Sequence, residues 1–108
     1  MVGQMSFAEF AESVKRDPGP PSGASAALRG LWHDARGDWG RAHTIVQEDT
    51  SEDGAWVHAY LHRKEGDAAN AGYWYARAKR TRPTNDVTLA TEWEQIAREL
   101  LGDVKPEV

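Results

Sequence analysis

The chain has 108 residues, a net charge of −4 and no cysteine. Its length allows one domain with a modest core, and 40% hydrophobic against 28% charged residues is the balance of a globular rather than a disordered chain. The missing cysteines exclude disulfides and thiolate metal sites, and the acidic balance argues against nucleic acid or anionic lipid as a partner of the whole molecule.

In chain order, Ser6 and Glu9 form an S-x-x-E capping box, and Phe7, Phe10, Ala11 and Val14 make the apolar stripe of a first helix ending near Arg16. Residues 17–23, DPGPPSG, cannot continue a helix and form an extended link. Ser22 or Ser25 caps a second helix, which runs to about Arg36 and buries Leu28, Leu31 and Trp32. Asp38 caps a third, through about Glu48, burying Ala42, Ile45 and Val46. Residues 49–54 read as a polar, acidic connection.

Residues 55–78, AWVHAYLHRKEGDAANAGYWYARA, carry the strongest pattern. Val57, Tyr60, Leu61 and Lys64 share one helical face, Gly66 ends that helix, and Asp67 caps the next. Ala71, Trp74, Tyr75 and Ala78 continue helical spacing, and Arg77, Lys79 and Arg80 suit the negative end of the helix dipole. Residues 81–86, with Pro83, break the pattern. A last helix starts near Thr88 or Thr91 (Thr91 and Glu94 form a second capping box), carries Leu89, Trp93, Ile96, Ala97, Leu100 and Leu101, and closes at Gly102. Residues 1–5 and 103–108 are expected to be flexible ends of this single domain.

The plan of residues 55–78 occurs twice. In LRGLWHDARGDWGRAHTIVQ (residues 28–47), Gly37 and Asp38 fall where Gly66 and Asp67 do, Ala42 where Ala71 does, His33 where His62 does, and Gly30 where Ala59 does. Small residues at matching positions let paired helices approach closely. With Ala59, Gly66, Asp67, Ala71, Tyr75, Ala78 and Pro83, the chain resembles the tetratricopeptide and Sel1-like repeat families over about residues 25–49 and 54–83. NAGYWYARA is especially similar to the second-helix signature of Sel1-like repeats. The expected fold is all-α, with about six helices: two antiparallel hairpins of this type, closed by an N-terminal and a C-terminal helix.

The resemblance implies a protein-interaction module or adaptor without catalysis of its own, holding a protein or peptide partner on the first helix of its second hairpin. Trp56, Tyr60 and Arg63 are the residues expected to line that face. A short stack with open ends also suits a homodimer.

The alternative is a metal site, zinc or another divalent ion, with or without enzymatic activity. His58 and His62 stand four apart on one helix, so they point the same way, with His33 or His43 as a third ligand and Glu65 as a further donor. The residue after His58 is Ala59, so the pattern is not H-E-x-x-H. Copied packing accounts for His33 and His62 equally well. No nucleophile elbow or phosphate loop is present, and otherwise neither a cofactor nor catalytic residues are expected. The basic run Arg77, Lys79, Arg80 and Arg82 is explained by the helix dipole rather than by nucleic acid. No apolar run approaches the roughly 20 residues of a membrane span, and MVGQMSFAEF lacks the regions of a signal peptide, so the expected location is cytoplasmic.

Overall fold

Each helix starts at a side chain able to hold the free amides of its first turn. In the computed structural model, which describes residues 5–103, six helices form: α1 (Phe7–Arg16), α2 (Ala26–Ala35), α3 (Trp39–Gln47), α4 (Glu52–Glu65), α5 (Ala68–Ala78) and α6 (Leu89–Leu101). Ser6, Ser25, Asp38, Ser51, Asp67 and Thr88 each accept from the amide three residues on. No strand occurs among the described residues, and the all-α expectation holds.

One boundary differs from that read in the sequence, and one open choice is decided. α4 begins at Glu52, because Ser51 caps it and Glu52 and Asp53 complement the positive end of its dipole, so half of the expected acidic connection is helix. α6 begins after Thr88, whose hydroxyl also bonds that of Thr91, so the second capping box is not the start. The flexible ends expected at 1–5 and 103–108 lie outside the described residues except for Met5 and Asp103. Both of these are engaged: Met5 packs on the core, and the Asp103 carboxylate accepts from the Phe7 amide at 2.6 Å.

The two hairpins, α2–α3 and α4–α5, turn in the same way. Gly37 and Gly66 take φ of +83° and +89°, which only glycine adopts without strain. The following amides, of Asp38 and Asp67, each return to a histidine carbonyl five residues back, His33 and His62, at 2.9 Å. The terminal helices do not close opposite ends of a stack. They pack on each other: Phe10 stacks on Trp93 and Phe7 meets its edge, both at 5.9 Å between centroids. α6 in turn reaches α2 and α4, and the Trp93 indole donates to the Leu31 carbonyl at 3.0 Å.

α4 is the centre. It touches α2, α3, α5 and α6, and every residue from Gly54 to His62 is buried. Close approach between α2 and its neighbours depends on Gly30. A Cβ built there lies 2.6 Å from Val46 Cγ1, a stiff branched side chain fully inside the core. Gly30→Ala is therefore expected to lower stability by about 1–2 kcal/mol, since the overpacking penalty exceeds the helix-propensity gain of alanine. Adding Val46→Ala makes room and should recover the overpacking part. Chemical denaturation of the single and double variants measures both effects.

Candidate metal centre

A helix enclosed on four sides must satisfy its polar residues inside the protein. Three of those on α4 reach a different helix, and a fourth is held within α4. Lys64 reaches the buried Asp34 of α2 at 2.9 Å. Arg63 reaches the buried Glu92 of α6 at 2.8 Å and also donates to the Val87 carbonyl. His62 Nδ1 lies 2.7 Å from the Glu65 carboxylate, and His58 Nε2 lies 3.0 Å from His43 Nε2 on α3.

The last two contacts belong to one cluster. His43, His58 and His62 bring one ring nitrogen each to within 4.8 Å of the others. Ring centroids are 4.7 Å apart for His43 and His58, 4.9 Å for His58 and His62, and 5.2 Å for His43 and His62. The i, i+4 spacing on α4 aligns His58 and His62, and α3, packed alongside, supplies His43. Two indoles hold the rings. Trp39 lies flat on His43 (4.9 Å, 8°) and is anchored by its N–H to the Leu61 carbonyl; Trp74 of α5 lies flat on His58 (3.9 Å, 19°).

The electrostatics favour the neutral form of His58 and of His43. Burial, then the charges of His43 and His62, push the His58 pKa down to about 4. Burial lowers His43 as well, with His62 adding to the effect. His58 Nδ1 is buried and has no hydrogen-bond partner among the described residues, while its Nε2 faces another imidazole nitrogen rather than a carboxylate or carbonyl. A nitrogen left unpaired in this way costs free energy, on the order of 1–3 kcal/mol. On His62 the carboxylate of Glu65 takes up Nδ1 and so orients the ring.

The third histidine is His43, not His33. His33, at the matching place on α2, faces Arg29, Arg36, Arg41 and Asp38 and sits edge-on to Trp32. Chain position in the hairpin is shared; neighbours are not. His43 carries a signal only in hindsight: it follows Trp39 by four residues, on the flank of α3 beside the buried Ala42 and Val46.

The residues expected to line a partner face are placed otherwise. Trp56 is 8% and Tyr60 2% exposed, and Arg63 is taken up by Glu92 and Val87. Arg80 lies 3.9 Å above the Trp56 ring, and α6 stands where a groove was expected. Among the described residues the exposed large aromatic is Tyr73, on α5. The basic run is dispersed too: Arg77 lies over Tyr73 and Trp74, Lys79 pairs with Glu52, Arg80 with Glu99, and Arg82 donates to the Ala68 carbonyl. Among the described residues no helix is long and apolar enough to cross a membrane.

Comparison with protein-family models, curated proteins and solved structures finds no match to this chain.

Proposed function

We propose that this chain is a metal-binding helical protein, in which His43, His58 and His62 hold one divalent late first-row ion. The observation that carries the reading is the convergence of three imidazole nitrogens from two helices, all within 4.8 Å. Zinc–nitrogen bonds of about 2.0–2.1 Å at tetrahedral angles put ligand nitrogens roughly 3.3 Å apart. The 3.0 Å between His43 and His58 is already near that, and His62 brings a ring nitrogen to within 4.8 Å of both. An all-nitrogen donor set suits zinc, copper, nickel or cobalt and does not suit calcium or magnesium. Three protein ligands leave a fourth position, the count found where an ion also takes water or an incoming ligand.

The expected result of equilibrium dialysis against Zn2+ is one equivalent bound per folded chain. His43→Gln, at the half-buried member, should weaken binding by more than the about 10–100-fold that loss of an outer hydrogen-bond partner costs. His33→Gln should leave it unchanged. Folded protein that takes up far less than one equivalent would sink the reading, as would a loss of binding on substituting His33 but not His43.

A further inference from the structure

We propose, resting on the metal reading above, that Trp39 and Trp74 make the centre selective for a four-coordinate ion, so that it takes Zn2+ in preference to Ni2+. An imidazole binds a metal in the plane of its own ring, and the neighbouring coordination positions stand above and below that plane. Over His43 and His58 one side of the ring is covered by a larger, nearly parallel indole: Trp39 at 4.9 Å and 8°, Trp74 at 3.9 Å and 19°. An indole stacked on an imidazole overhangs the space beside the ring nitrogen, where a further water would sit. Trp39 is fixed by its 2.9 Å bond to the Leu61 carbonyl and also stands edge-on to His62 at 6.2 Å, while Trp74 is held by its close stack on His58.

What remains open is the side of His62 and Glu65, where the carboxylate is exposed and Asp67 follows across the turn. That side admits one more donor. Zn2+ has no geometric preference from its d electrons and is satisfied by three imidazoles and one such donor. Ni2+ with imidazole and water donors, too weak in field for a square plane, calls for an octahedron, and two covered positions deny it. The selectivity then comes from geometry rather than from raw affinity, which by itself separates these ions little.

Cobalt(II) reports the difference directly, because its visible bands are intense in a tetrahedral field and weak in an octahedral one. The experiment titrates the full chain with Co2+, follows absorbance and bound cobalt together, and then adds Zn2+ or Ni2+ as competitor. The wild type should show the intense spectrum at one equivalent, Zn2+ should abolish it, and equal Ni2+ should leave most of it. Trp39→Ala should keep the cobalt bound while the bands fall several-fold, and should shift the zinc-over-nickel preference towards nickel by roughly tenfold. Trp39→Phe loses the Leu61 hydrogen bond but keeps a ring over His43, so it should behave as wild type; this separates coverage from a general loosening. A weak six-coordinate spectrum in the wild type, or a Trp39→Ala variant with unchanged spectrum and preference, overturns the selectivity while leaving the metal centre standing. No bound cobalt or zinc removes the centre itself and the selectivity with it.

Discussion

Glu92→Ala should lower the stability of the fold by about 3–5 kcal/mol, the range for removing one partner of a buried ion pair. Glu92 is 3% exposed, and its two oxygens are fully used: Oε1 accepts from Arg63 at 2.8 Å and Oε2 from the Tyr75 hydroxyl at 2.5 Å. It therefore ties α6 to α4 and α5 at one point. Removing it leaves the Arg63 guanidinium, with 19% of its side chain exposed, facing a cavity without a counter-charge. It also leaves a buried phenol without its acceptor, a phenol whose pKa is held above its usual value by burial and by this carboxylate. Against total stabilities of 5–15 kcal/mol, a loss of this size is a large fraction of the fold. The mechanism predicts more than the loss. Replacing the whole group by apolar residues of similar volume (Arg63→Met, Tyr75→Phe, Glu92→Leu) should recover most of it, because the penalty comes from the orphaned partners rather than from the pair. Urea unfolding of the single and triple variants decides. A single-variant loss under about 1 kcal/mol would show that Arg63 finds solvent or another acceptor.

The same enclosure explains which parts of the fold the sequence revealed. Local chemistry was legible. Ser6, Asp38, Asp67, Gly66 and Gly102 mark helix ends by groups that act within one turn, and the structure puts the ends there. Where two local signals compete, as Thr88 and Thr91 do, the sequence left the start of α6 open. The burial of α4 was not legible. Its apolar face of Val57, Tyr60 and Leu61 reads as one-sided, with Trp56 and Arg63 turned, beside Tyr60, to an open partner face. The opposite side is buried by the adjoining α3 and α5 and by the more distant α6, and polar groups of α3 and α6 meet those of α4. Trp56, Tyr60 and Arg63 accordingly read as a free face when they are a packed one. For the histidine cluster, His58 and His62 were available from spacing alone, whereas the choice of His43 over His33 needed the packing of α3 on α4. A polar pair at i, i+4 inside the most apolar hairpin is the trace that such complementation leaves in a sequence.

Acidification should destabilise the protein progressively from about pH 6.5 to about pH 4, by on the order of 3 kcal/mol through His58 alone. In the unfolded chain His58 takes its proton near the ordinary value of 6.5; in the fold it holds off until about 4. Between these values the unfolded state binds more protons than the native state, so stability rises with pH across the window. The contribution is fully present above the unfolded value and lost as pH falls through the folded one. The groups facing the His58 ring supply no counter-charge that would reverse the sign: His43 comes from α3, His62 from α4 and the Trp74 indole from α5, and the nearest carboxylate, Glu65, is bonded to His62. His43 and His33, lowered chiefly by burial, steepen the slope in the same direction. Asp67 and Asp86 are held below the usual carboxylate range by hydrogen bonds from Asn70 and Thr84, so their losses fall at more acid pH and outside the window. Urea unfolding in the presence of a chelator, at steps from pH 7.5 to 4, measures the slope, and His58→Gln should flatten it by about one proton. A stability constant over that range would mean that the His58 ring is hydrated or already protonated in the fold, and the neutral His58 that the metal centre draws on would go with it. Bound zinc should instead raise stability at neutral pH and make the acid loss steeper, because each ligand must give up its metal to take a proton.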